Sequence, residues 1–229
     1  SRSNAYKASV GGQDRSVDTF AEDMRDMGHR VLVVTPSLPK ASTSNEQVFR
    51  IPSIKNLAGT EFSLTLPVPS GLKDRLDDFA PDVIHSHHPF MLGDTALRVA
   101  RRRRLPVAFT HHTLYERYAY KFKAESEILQ RIALALPTEY ANLCDLVVAP
   151  TESIRRLIVD RGVTTHVEVI PTGIDLDLYA HGDGPAFRKK HGIPADAFVL
   201  GYLGRVVRVK NMEFLADAAV RLLSACPDA

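Results

Sequence analysis

The sequence has few cysteines, little excess of charge of either sign and no long apolar run, and each shortage removes a class of function. Its two cysteines, Cys144 and Cys226, stand far apart with no metal or redox spacing. Isolated thiols of that kind read as small buried hydrophobes in a reducing compartment. Twenty-nine basic and 27 acidic side chains leave a net charge of +2, too balanced for a general nucleic-acid binder. No apolar stretch approaches the ~20 residues that cross a bilayer, and no signal-peptide pattern opens the chain. The expected location is therefore cytoplasmic, with peripheral contact at the inner face of a membrane. There is no internal repeat and no low-complexity tract.

What is present is an alternation of short apolar runs and amphipathic helices. Val17, Phe20, Ala21, Met24 and Met27 recur at helical spacing, and Gly28 closes that helix. Val31 to Val34 reads as a buried strand ending at Thr35-Pro36, and Val48 to Ile51 as a second. A Pro-rich loop around Pro67 and Pro69 leads to a short helix marked by Leu72, Leu76 and Phe79. Strands are expected at Asp82–His85, Pro106–Thr110, Leu146–Ala149 and Val167–Ile170. Helices are expected at 92–103, at 123–143 with a break or kink at Pro137, and at 152–160. Such alternation with short connections specifies an α/β fold, a Rossmann-like parallel sheet with helices on both faces. The pattern loosens near Gly182, Gly184 and Pro185, where a domain junction is expected. A second Rossmann-like domain then begins, with a strand at Phe198–Leu203, a glycine turn and a helix from about Asn211 to Ser224. The expected domains are 1–175 and 176–229, the second represented only by its beginning.

Parallel sheets of this kind bind ligands beyond the carboxyl ends of their strands. Five of the nine histidines fall there: His85, His87 and His88 in one run, His111 and His112 in another. Imidazole ligands of a metal commonly come with a carboxylate or thiolate, and neither run contains one. A polar cleft for sugar hydroxyls and phosphate fits better than a metal site, and histidines bonded to loop backbone remain the plain alternative. Gly11-Gly12 precedes the first helix, where backbone amides attract anions and glycine lets a phosphate approach; an ordinary tight turn explains the pair equally well. Gly204-Arg205 with Lys210-Asn211 offers a guanidinium and an ammonium across a strand-to-helix turn, a geometry suited to a diphosphate; a surface turn with scattered charges is the alternative. Arg98 and Arg101 to Arg104 form a basic helix end, which complements the helix dipole or attracts anionic headgroups. Tyr115, Tyr118 and their neighbours suit a lipid-facing or acceptor-facing rim.

Taken in order, these motifs resemble the family 4 retaining glycosyltransferases of GT-B fold, in the branch with bacterial diacylglycerol glucosyltransferases and phosphatidylinositol mannosyltransferases. Tyr6-Lys7-Ala8-Ser9-Val10-Gly11-Gly12 is similar to that family's glycine loop. Gly28-His29-Arg30-Val31 resembles its entry to the next strand, and Pro81-Asp82-Val83-Ile84-His85-Ser86-His87 its Pro-Asp-Val-Ile-His segment. Thr110-His111-His112-Thr113 is similar to the stretch that carries the active-site histidine, Ile170 to Asp175 to the domain junction, and Gly204-Arg205 with Lys210 to the donor-diphosphate pair. The resemblance implies transfer of a sugar from a nucleotide diphosphate sugar to an acceptor hydroxyl of a lipid or glycan. It implies retained configuration and neither metal nor other cofactor. His112 would be catalytic; by position, independently of the resemblance, the neighbouring Thr110 and Thr113 offer hydroxyls to fix its tautomer. Gly11, Gly12, Arg205 and Lys210 would bind the donor, and His85, His87, Tyr115 and Tyr118 the acceptor. Ala8, Gln13 and Asp14 depart from the family's loop. The apolar strand that family members carry before that loop, in the middle of the sheet, and their later Glu-x7-Glu motif are absent, so a fragment of a longer enzyme, inactive alone, is expected. A non-catalytic Rossmann-like binding module and a metal-dependent hydrolase built on the histidines are the two alternatives.

Overall fold

The structure, a computed structural model, describes residues 12–37, 47–51, 53–54, 64–65, 71–114, 127–174, 176–204, 206–207 and 210–225. The chain divides into two compact units, Ser1–Ile174 and Asp175–Ala229.

The first unit opens with helix α1 (Gly12–Asp26), ended by Gly28 at φ 90°. Strand β1 (Val33–Pro36) pairs in parallel with β2 (Val48–Ile51). β1 starts two residues later than the apolar run suggests, because its first ladder bond is from the Val33 amide to the Gln47 carbonyl, 2.9 Å. β3 (Ser53–Ile54) and β4 (Leu64–Thr65) form a small antiparallel pair with no clear signal in the sequence. The Pro-rich loop around Pro67 and Pro69 lies outside the described residues. Helix α2 (Leu72–Phe79) follows.

β5 (Ile84–Ser86), β6 (Val107–Thr110), β7 (Leu146–Ala149) and β8 (Val167–Val169) then form a four-stranded parallel sheet in chain order. β5 begins at Ile84 rather than Asp82, since the ladder opens with the Ile84 amide on the Pro106 carbonyl at 3.0 Å and Val83 is exposed. The connecting helices are α3 (Leu92–Arg103), α4 (Glu127–Asn142) and α5 (Glu152–Asp160). α4 runs through Pro137 as one helix, so the expected break is absent. Tertiary packing outweighs the local rule: Pro137 is itself buried, and Tyr140 and Ala141 just beyond it belong to the core. α5 starts where its cap requires, with the Thr151 hydroxyl accepting from the Ile154 amide at 3.2 Å.

Two apolar cores lie among the described residues of this unit. The larger lies on one face of β6 and β7 and includes Val107, Phe109, Tyr140, Cys144, Val147 and Ile158. Burial pushes the Cys144 thiol up to about 12, in keeping with an inert core residue; Cys226 lies outside the described residues. The smaller core seats Ile51 with Leu72 and Leu76 of α2. Among the described residues the parallel strands form two separate sheets, with β1 joined only to β2 and β5 only to β6.

The second unit contains α6 (Leu176–Ala180), α7 (Gly184–His191) and α8 (Met212–Ala225). The stretch 198–203, expected as a strand, is not one. A strand requires a ladder partner, none is present among the described residues, and Phe198, Leu200 and Leu203 are exposed. α7 occupies the segment expected to be a loose junction. Its Asp183 side chain caps Ala186 at 2.9 Å, Pro185 sits in its first turn, and Gly192 ends it at φ 65°.

Candidate functional site

The site is built by strand alternation at the carboxyl ends of β5 and β6. Side chains on a strand point alternately to opposite faces, and the register pairs His85 with Ala108 and Ser86 with Phe109. Ser86, Phe109 and His111 therefore share the face turned into the larger core. Ser86 and His111 are buried there, and the His111 ring meets Phe109 edge-on at 5.9 Å. His85, His87, Thr110 and His112 share the other face.

On that face the four side chains interlock in two bonded pairs. His85 Nε2 lies 2.7 Å from Thr110 Oγ1, and His87 Nδ1 lies 2.9 Å from His112 Nε2. The rings of His85 and His87 lie tilted at 35° with 4.1 Å between centroids, and those of His87 and His112 stack at 5.2 Å. Phe20 of α1 closes the cluster from outside, edge-on to His85 at 4.9 Å. Burial holds all three imidazoles below the usual histidine range. His85 and His112 are pushed down to about 4, first by burial and then by neighbouring histidines, and His87 falls further. The cluster is thus uncharged at neutral pH and offers hydrogen bonds rather than charge. Among the described residues no group of three or more His, Cys, Asp or Glu side chains is disposed to hold a metal ion.

The loop from His87 to Met91 is fixed at both ends. Ser86 Oγ donates to the His88 carbonyl at 3.1 Å, and Tyr140 Oη donates to the Gly93 carbonyl at 3.2 Å. Met91 has φ 50° and ψ −79°, a conformation that non-glycine residues rarely adopt and that marks strain held by its surroundings. Gly93 has no room for a side chain: a Cβ there would lie 2.2 Å from the His88 carbonyl oxygen and 2.9 Å from the Tyr140 ring. Gly93→Ala is expected to cost about 1–3 kcal/mol, the usual range for overpacking. A thermal melt lowered by several degrees would show it, and an unchanged midpoint would refute it.

Of the sequence-derived candidates, the structure brings His85, His87 and His112 together. Gly12 opens α1, whose Phe20 reaches the cluster. Lys210 is exposed in the helical turn before α8 in the second unit. Gly11, Tyr115, Tyr118 and Arg205 lie outside the described residues. One expectation needs correction: Thr110 does not orient His112. Its hydroxyl is taken by His85, and the neighbour bonded to His112 is His87. Phe20, which the helical spacing assigned to an apolar stripe, proves to be a wall of the site; nothing in its local sequence could show that.

The chain is 28% identical over 241 residues to the alpha-monoglucosyldiacylglycerol synthase of Acholeplasma laidlawii, covering 99% of this chain and 60% of that protein. It is similar in structure to sucrose-phosphate synthase from Thermosynechococcus elongatus, with a TM-score of 0.64, 21% identity, and coverage of 92% of this chain and 54% of the other. It is likewise similar to HepE from Anabaena, solved in complex with UDP-glucose, with a TM-score of 0.62, 20% identity, and coverage of 94% and 55%. These structures show the fold, the α/β architecture of GT-B glycosyltransferases. The chain thus spans between about half and three fifths of these three proteins. The profile of Glycosyltransferase Family 4 matches residues 10–178, some three quarters of the sequence and all of the histidine site, and the chain belongs to that family.

Proposed function

We propose that the protein carrying these residues transfers a sugar from a nucleotide diphosphate sugar to a hydroxyl of a lipid or glycan acceptor, with retention and without a metal. The observation that carries this reading is the uncharged cluster of His85, His87 and His112 at the carboxyl ends of two parallel strands in a family 4 chain. An imidazole held there can bond a sugar hydroxyl while positive charge grows at the anomeric carbon. Gly11, Gly12, Arg205 and Lys210 would meet the developing charge of the leaving diphosphate, and preorganised charge of that sort is usually the largest catalytic contribution. Tyr115 and Tyr118 would line the acceptor side.

The test is an assay of the enzyme that contains this chain against a panel of nucleoside diphosphate sugars and diacylglycerol-type acceptors, with excess chelator present. Proton NMR of the product reads the anomeric configuration. Transfer with retention supports the proposal. Inverted product, or hydrolysis that appears only on adding a divalent metal, overturns it.

We place the protein in the cytoplasm, in peripheral contact with anionic membrane. No helix among the described residues is long and apolar enough to cross a bilayer, and the end of α3 exposes Arg101, Arg102 and Arg104. Arg103 is committed elsewhere: it bonds Asp77 and the Leu76 and Lys73 carbonyls of α2. Each basic group near an anionic surface contributes about 1 kcal/mol. Replacing Arg101, Arg102 and Arg104 with alanine is expected to abolish salt-sensitive cosedimentation with phosphatidylglycerol vesicles. Binding unchanged by the triple substitution would remove this surface from the account.

A further inference from the structure

We infer that His87 is a positioning residue for His112: it holds the imidazole in one orientation and one tautomer, so that Nδ1 of His112 is the nitrogen presented to the transferred sugar. The inference rests on the reading of His112 as the group that contacts that sugar.

An imidazole has two ring nitrogens and little intrinsic preference for which carries the hydrogen. In this site Nε2 of His112 is already engaged by Nδ1 of His87 at 2.9 Å. Among the described residues that leaves Nδ1 of His112 for a ligand. Two neutral rings can make such a bond only when one contributes N–H and the other a lone pair, so both carry the hydrogen on Nδ1 or both on Nε2, and the tautomer of each ring fixes that of the other. Burial keeps both rings uncharged at neutral pH, so a second proton does not disturb this arrangement.

A partner can orient another group only if it is itself held. His87 is: its ring lies 4.1 Å from that of His85, which is tethered to Thr110 Oγ1 at 2.7 Å, and Phe20 stands edge-on to both histidines at 4.9 and 6.4 Å. His112, by contrast, has His87 as its only side-chain hydrogen-bond partner among the described residues. Without His87 the His112 ring can turn over and present either nitrogen in either tautomer. The family resemblance put His87 on the acceptor rim; its bond to His112 assigns it this different work.

The experiment is a double-mutant cycle in the enzyme that contains this chain. His87→Leu retains bulk without the bond. His87→Asn places an amide near the position of Nδ1, able to donate or accept. His87→Leu is expected to lower kcat by about ten- to a hundredfold, the scale seen when a partner that orients a metal-bound ligand is lost. The donor KM should stay within about twofold, since an orienting contact acts on the transition state more than on binding. His87→Asn should recover most of the rate. In a His112→Ala background His87→Leu should have no further effect. An equal loss in both backgrounds, or an Asn variant no better than Leu, overturns the inference. Should the Leu variant not fold, long-range proton–nitrogen NMR of the wild type decides instead: the same single tautomer at both His87 and His112 supports the inference, and a mixture at His112 or unlike tautomers at the two rings refutes it. If His112→Ala retains wild-type kcat, the underlying reading of His112 fails, whatever tautomers are found.

Discussion

His112→Ala, introduced into the enzyme that contains this chain, is expected to lower kcat by about 10²–10³, the loss typical of removing one preorganised group at a reacting centre. Donor binding should change far less. The argument is positional before it is chemical. β6 is buried along most of its length, with Phe109 fully enclosed, so the two residues that follow it leave a rigid support. His112 then emerges on the face opposite the core with one nitrogen occupied by His87 and the other without a side-chain partner among the described residues. A contact that strengthens as charge develops acts on kcat, whereas uniform binding acts on KM. His111→Ala supplies the contrast. That ring is buried on the core face against Phe109, so its loss should appear as lower stability with turnover of the folded fraction largely retained. Steady-state kinetics of both variants with the cognate donor and acceptor, corrected for folded fraction, makes the comparison. Near wild-type kcat in His112→Ala, or a greater catalytic loss in His111→Ala, would move the active-site role elsewhere in the cluster.

The features legible in the sequence were those decided locally. α5 and β7 fall at the bounds the sequence suggests, because a threonine cap and an uninterrupted apolar run carry their own signals. α7 carries opposed signals: Asp183, Pro185 and Gly192 mark a helix start and stop, while Gly182, Gly184 and Pro185 also have the composition of a junction. The features that failed depend on distant parts of the chain. Whether 198–203 is a strand depends on a ladder partner, and whether Pro137 breaks α4 depends on the core around it. For the site, strand parity alone separates His111 from His112 and His85 from Ser86. The bond from His87 to His112 depends in addition on how β5 registers with β6, and no spacing within either run encodes that. A shift of one residue would have turned one set of histidines into the core.

The same cluster makes the fold sensitive to acid, and the first unit is expected to lose stability by several kcal/mol between pH 6.5 and pH 4. A histidine in the unfolded chain titrates near 6.5, whereas His85 and His112 in the folded chain titrate near 4, both driven down mainly by burial. Between those values the unfolded state binds more protons than the folded state, so stability rises with pH across the interval. The contribution of neutral burial is therefore fully present above about pH 6.5 and is lost as pH falls toward the folded values. One pKa unit corresponds to about 1.4 kcal/mol, so the displacement of His85 alone is worth about 3 kcal/mol. His112 and His87 add to it less than independently, because the rings touch and protonating one disfavours the next. The measurement is a series of denaturant unfolding curves from pH 8 to pH 4, on wild type and on His85→Gln. Wild type should hold a plateau above pH 7 and fall steeply below 6.5. The glutamine variant keeps an amide toward Thr110 but has nothing to protonate, so its curve should fall less. A wild-type stability that stays level down to pH 4, or a fall that His85→Gln leaves equally steep, would mean that these rings are not buried neutral in the folded chain.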